Sequence, residues 1–77
     1  MALITDATTA WSSPVTLTQD EVWQTRKGGV FVTTTASPDA EDGLFLREGT
    51  GVRFSAGSDV RYRKEGTTGA VIAREAV

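Results

Sequence analysis

Short segments in which apolar and polar residues alternate, separated by glycine-containing turns, run through most of this sequence. Residues 30–35 are the clearest example, because valine and threonine dominate them and the pair Gly28-Gly29 comes directly before. β-branched residues with a period of two are typical of strands, and few stretches show the longer period of a helix. The pattern therefore predicts an all-β chain of short strands and tight turns.

Seven extended segments follow from this alternation and from the turn residues between them. They span residues 14–17, 21–26, 30–35, 44–47, 52–55, 59–63 and 70–74. Six to seven short strands at this spacing predict a small antiparallel β-sandwich or barrel, as a single domain over residues 13–77. Residues 1–12 lack the alternation, so we expect an extended N-terminal arm that orders only against a partner.

The chain contains neither cysteine nor histidine among its 77 residues. Disulfides are therefore excluded, and a zinc, iron or copper site lacks its usual ligands. The commonest general base and the most reactive nucleophile are missing too, while carboxylates cluster in turn-like segments such as residues 39–42. We therefore expect no enzyme activity and no cofactor. A domain this small is expected to gain stability by association with other chains.

Charge and hydropathy argue against two classes of partner. With 8 basic and 10 acidic residues the net charge is −2, which provides no general attraction for nucleic acid. The first residues lack the basic and apolar regions of a signal peptide, and no apolar run is long enough to span a bilayer. We therefore expect neither a nucleic-acid nor a membrane partner, and synthesis in a reducing cytoplasm.

Alternation assigns the side chains of the strands to two faces. One face forms the predicted core, which consists of Val22, Val30, Val32, Leu44, Leu46, Val52, Phe54, Val60 and Tyr62. The opposite face carries aromatic residues and arginines, namely Trp23, Phe31, Phe45, Arg47, Arg53, Arg61 and Arg63. Large aromatics on a second face either pack under loops and the arm or contact neighbouring subunits. Trp11 either caps one end of the core or anchors the arm in a neighbour's pocket.

The arginines of the second face have two interpretations. Residues 52–55 and 59–63 could pair as a hairpin, which would place same-face arginines in a short cationic ladder able to bind carboxylates. Alternatively, they form an ordinary solvated face with salt bridges to Glu48, Asp59 or Glu65. We favour the solvated face, because isolated surface charges seldom have a specific role.

Five pieces of the sequence together carry a resemblance to a class of protein: DEVWQ (20–24), GGVFV (28–32), GLFL (43–46), GVRFSAG (51–57) and VRYR (60–63). Their order resembles that of small β-sandwich proteins from the structural gene clusters of tailed phages and gene transfer agents. Within that class it is most similar to head-spike base, adaptor and decoration proteins. The resemblance covers most of residues 13–77 and consists of turn glycines and alternating strands, without a catalytic motif.

The resemblance implies a virion structural protein, assembled in the bacterial host cytoplasm as a homo-oligomer, with a trimer favoured. Such a chain would dock onto a capsid, spike or tail component, so other virion structural proteins are the expected partners. Two other functions stay open. One is a small carbohydrate-binding module that uses Trp23 or Trp11 beside Gln24, Asp39 and Asp42. The other is an SH3-like interaction domain.

Overall fold

The computed structural model describes all 77 residues and contains eight strands and no helix. The strands are β1 Ala2–Ile4, β2 Val15–Thr16, β3 Glu21–Lys27, β4 Val30–Thr33, β5 Leu44–Leu46, β6 Gly51–Phe54, β7 Asp59–Lys64 and β8 Val71–Ala76. The all-β prediction is confirmed, with eight strands in place of six to seven, because β1 adds to the predicted segments. The structure thus has no helix with the length and apolar character that crossing a membrane requires.

The strands form two four-stranded antiparallel sheets. Sheet A has the order β1-β8-β3-β6 and sheet B has the order β2-β7-β4-β5. From β2 onwards, consecutive strands lie in different sheets, with the exception of the β4–β5 pair. The inner faces of the two sheets share one hydrophobic core, so the arrangement is that of a β-sandwich.

The core draws side chains from both sheets: Leu17, Trp23, Val30, Val32, Leu46, Phe54, Val60, Tyr62, Ala70 and Ile72. Six of the nine predicted core residues are among them, and a seventh, Val52, packs against the cluster while partly buried. The ring of Trp23 lies 5.6 Å from that of Phe54 and 6.2 Å from that of Tyr62, between centroids. Burial of each large apolar side chain contributes about 1.5–3 kcal/mol, so this cluster dominates the stability of a chain without disulfides.

The predicted faces of β3 are wrong. Glu21, Trp23 and Thr25 point inward and are buried, whereas Val22 is 38% exposed on the outer face. Because side chains alternate with a period of two, a shift of one residue exchanges the two faces of the whole strand. The inward carboxylate of Glu21 is satisfied by hydrogen bonds from Trp23 and Arg74, which allows a charged residue to lie where an apolar one is expected.

Leu44 is also misassigned to the core. It lies opposite Val32 in the register of β4 and β5, on the inner face, yet it is 58% exposed. The reason is its position, since β5 is a three-residue strand at the free edge of sheet B. Leu46, at the other end of the same strand, is only 4% exposed.

The segment predicted as an arm is hydrogen-bonded within its own chain. β1 pairs antiparallel with β8, where Ala2 lies opposite Arg74 and Ile4 opposite Ile72. Further along, the backbone N–H of Lys64 donates to the carbonyl of Thr8 over 2.8 Å. The expectation that residues 1–12 order only against a partner is therefore corrected: three residues are too few to show alternation, and β1 escapes detection for that reason.

Candidate functional site

The outer face of sheet B brings together five of the eight predicted interface residues. Arg63, Phe31 and Phe45 lie directly opposite one another on β7, β4 and β5. Opposite residues of antiparallel strands point to the same side of the sheet, so the three side chains form one row across it. Trp11 contacts this row from the segment before β2. Arg61 lies two residues before Arg63 on β7, on the same face.

We call Trp11, Phe31, Phe45 and Arg63 the Arg63 cluster. The guanidinium carbon of Arg63 lies 4.1 Å from the ring centroid of Phe31 and 5.1 Å from that of Trp11. The rings of Phe31 and Phe45 are 5.1 Å apart between centroids and inclined by 47°. These distances are those of cation–π and tilted aromatic contacts, so the cluster is continuous and its cation lies over two aromatic rings.

Backbone carbonyls, and not carboxylates, accept the hydrogen bonds of the arginines on this face. Arg61 donates from Nη1 to the carbonyl of Ser12 over 3.1 Å, and Arg63 donates from Nη2 to the carbonyl of Ala40. The Nε of Arg63 is buried without a hydrogen-bond partner. Neither residue belongs to an ion pair, so neither forms the salt bridge to Glu48, Asp59 or Glu65 that the solvated-face interpretation suggested.

The loop between β4 and β5 packs against Trp11 and Arg63 of the cluster. The indole Nε1 of Trp11 donates to the carbonyl of Asp39 over 2.8 Å. Gly43, at the end of the loop, has a φ of +98°, and a Cβ on it would lie 2.7 Å from the carbonyl oxygen of Val32 and 2.9 Å from Trp11. A glycine is therefore required at this position for the loop to approach both the strand and the indole.

The exposed part of the face lies at its β5 end. Phe45 is 41% exposed, while Trp11, Phe31 and Arg63 are only partly exposed. Phe45 and Leu44 are thus two exposed apolar side chains at the free edge of sheet B, the first on its outer face and the second on its inner face. An apolar edge strand of this kind is a surface on which another polypeptide can pair.

The other three candidates lie elsewhere. Trp23 is fully buried, and its Nε1 donates to Glu21 over 3.0 Å, so its assignment to the outer face is wrong. Arg53 lies on sheet A, where it pairs with Asp20 at 3.0 Å. Because β6 and β7 belong to different sheets, the hairpin that the sequence allowed between them does not form, and neither does its cationic ladder. Arg47 is exposed just after β5.

Sequence reasoning missed a charged network on β3 and β8, the two central strands of sheet A. Arg74 donates from Nε and Nη2 to the two oxygens of Glu21 at 2.9 and 3.0 Å, and its guanidinium carbon lies 5.1 Å from the centroid of Trp23. The hydrogen bonds from Arg74 hold the pKa of Glu21 below its ordinary value, against the opposing effect of burial. The spacing of Glu21 and Trp23, which puts both side chains on one face of a strand, is the sequence signal that could have revealed it.

A second missed contact ties the N-terminal segment to the core. The hydroxyl of Tyr62 donates to Oδ1 of Asp6 over 2.8 Å. Burial, together with the hydrogen bond and charge of Asp6, raises the pKa of Tyr62 to about 12. Together with the backbone hydrogen bonds from Lys64 to Thr8 and from Ser12 to Tyr62, this contact holds the N-terminal segment along β7. No group of three or more carboxylates lies close enough to hold a metal ion.

Comparisons with known proteins identify no relative of this chain. A scan of protein-family models, a search of curated proteins and a search of solved structures each gave no match to this chain.

Proposed function

We propose that this chain is a structural component of a phage or phage-like particle that self-associates and docks onto a capsid, spike or tail protein. The observation that carries the proposal is the Arg63 cluster, which ends in the exposed ring of Phe45 at a free sheet edge, where Leu44 is exposed on the other face. It supports the proposal together with the order of strands and turns that resembles small virion proteins of the β-sandwich type.

The cluster has the physical character of a protein-binding anchor. Aromatic residues and arginine are the side chains most enriched at the energetic centres of protein interfaces. Here Trp11, Phe31 and Arg63 hold one another in place before any partner arrives, with the indole fixed by a hydrogen bond to the loop. A preorganised surface loses little side-chain entropy on binding, so more of the contact energy becomes affinity.

The two other functions have less support. A sugar platform needs an open aromatic face, but Trp23 is buried and the ring of Trp11 stacks on Arg63 and packs beside Gly43. The two four-stranded sheets also differ from the small barrel of an SH3-like domain.

Incorporation into particles tests the proposal. Particles are purified on a density gradient from a strain that expresses the tagged wild-type chain, Phe45→Lys or the control Leu3→Lys, which alters an apolar residue that is 54% exposed on the edge of sheet A. We expect the wild type and the control to co-purify with capsid or tail proteins at a fixed ratio, and Phe45→Lys to be depleted. A wild-type chain absent from the particles would contradict the proposed function.

A further inference from the structure

We propose that two copies of this chain pair through their β5 edges, antiparallel and centred on Phe45, so that the two B sheets become one continuous sheet. This inference rests on the proposed function, because it identifies the surface through which the chain self-associates. It concerns a two-fold contact between copies, in contrast to the trimer that the resemblance implies.

The free edge of β5 provides the backbone part of the contact. β5 is the last strand of sheet B, so one side of Leu44–Leu46 has no neighbouring strand within the chain. Exposed edges pair readily with other strands, and pairing related by a two-fold axis uses the same surface of both copies. Centred on Phe45, the pairing sets Leu44 of each copy opposite Leu46 of the other and matches the full length of both strands.

The side chains on the outer face continue an existing row. Within one copy, Arg63, Phe31 and Phe45 lie opposite one another on three successive strands. The proposed register places the second copy's Phe45 next in this row, followed by its own Phe31 and Arg63. Directly opposed aromatic residues on antiparallel strands stabilise a sheet, and both half-exposed Phe45 rings become covered.

Charges on either side of β5 are complementary in this register. The acidic pair Glu41-Asp42 comes before the strand, and Arg47 follows it. Antiparallel pairing brings Arg47 of each copy to Gly43 of the other, beside the acidic pair. Arg47 and Glu41 take part in neither ion pair within the chain. Glu48, which would face Asp42, has its carboxylate turned back to accept from the N–H of Gly28 at 3.1 Å.

A single cysteine tests the register directly, since the natural chain has none. In the proposed dimer the two residues at position 45 face each other across the axis, at a Cα separation that a disulfide can bridge. We expect Phe45→Cys to form a disulfide-linked dimer under mild oxidation, while the control Leu3→Cys stays monomeric on non-reducing gels. Tryptophan fluorescence of the buried Trp23 checks that both variants are folded.

Mass measured by light scattering supplies the independent readout. We expect the wild type to have the mass of a dimer, and Phe45→Lys to weaken the dimer by more than about tenfold, roughly 1.4 kcal/mol, with Leu3→Lys unchanged. A wild-type trimer, with no cross-linking of the Phe45→Cys variant, would overturn the β5 contact and leave the proposed function intact. A cross-linked Phe45→Cys dimer, with the wild type absent from particles, would support the β5 contact and contradict the proposed function. A monomer that enters particles through Phe45 would show that another particle protein occupies this edge and would overturn the inference.

Discussion

Arg63 lies over the ring of Phe31 with 4.1 Å between its guanidinium carbon and the ring centroid. The two residues are directly opposite on β7 and β4, so the contact follows from the strand register itself. Trp11 covers the guanidinium at 5.1 Å, and the carbonyl of Ala40 accepts a hydrogen bond from Nη2. Arg63 therefore joins two strands, the N-terminal segment and the β4–β5 loop through one side chain.

Replacing Arg63 by lysine should destabilise the chain although the charge is kept. An ammonium group has no planar surface to stack on an aromatic ring, and it cannot contact both rings and the loop carbonyl as the guanidinium does. We expect a loss of about 1 kcal/mol in the free energy of unfolding, measured by urea denaturation. The matched control is Arg53→Lys on sheet A, whose pair with Asp20 is exposed to solvent, so the urea midpoint should barely move. Equal effects for both variants would contradict the role of stacking.

Trp23 and Val22 are neighbours in β3, but the first lies in the core and the second on the surface. Trp23 is fully buried and Val22 is 38% exposed, so their truncation should have very different effects. We expect Trp23→Ala to lower the free energy of unfolding by about 3–5 kcal/mol and to leave the chain largely unfolded. Val22→Ala should cost less than about 0.5 kcal/mol, since its outer face has little packing to lose. Far-UV circular dichroism with urea denaturation measures both, and a folded Trp23→Ala variant would contradict the assignment.

The strands could be predicted from the sequence because local patterns specify them. Alternating β-branched residues and turn glycines mark seven of the eight, and the alternation also places Phe31, Phe45 and Arg63 on one face. The strand β1 could not be predicted, since three residues at an edge, largely exposed, carry no periodic signal.

Errors arose where the outcome depends on contacts between distant residues. Glu21 and Trp23 point inward because Arg74, far along the chain, satisfies the carboxylate. Similarly, the turn after β6 is compatible with a hairpin or with a change of sheet, and only the packing of the two sheets decides between them. The contact between Trp11 and Arg63 has the same origin, because it depends on where the N-terminal segment crosses β7.

Tyr62 should make the stability depend on pH in the alkaline range. Its pKa is raised from 10.0 to about 12 in the folded chain, so the folded state holds the phenol proton more tightly than the unfolded state. The stabilisation is therefore complete below pH 10 and is lost as the pH rises towards 12. We expect the urea midpoint of the wild type to fall across this range relative to that of Tyr62→Phe. Parallel pH profiles for the two proteins would contradict the buried, neutral phenol.

Glu21 should make the stability depend on pH in the acid range. The hydrogen bonds from Arg74 lower its folded pKa below 4.5, so its contribution is complete above pH 4.5 and is lost as the pH falls through the folded pKa. We expect Glu21→Gln to be less stable than the wild type by about 1–3 kcal/mol at pH 7, with the difference shrinking in acid. Urea denaturation at several pH values measures it. A difference that is the same at pH 3 and pH 7 would show that the ion pair does not contribute.

Gly29 allows the ring of Phe45 to lie close to the backbone just before β4. A Cβ at position 29 would lie 2.8 Å from Cε1 and 2.9 Å from Cζ of Phe45, closer than van der Waals contact allows. In Gly29→Ala the ring should therefore swing outward and lose its contact with Phe31, at a cost of about 1 kcal/mol in urea denaturation. The control is Gly66→Ala, where an added Cβ meets nothing within 4 Å. Because the displaced ring no longer lies in the row, the proposed dimer of Gly29→Ala should also dissociate more readily. A dimer of unchanged stability would show that the packing of Phe45 against Gly29 does not contribute to the contact at the edge.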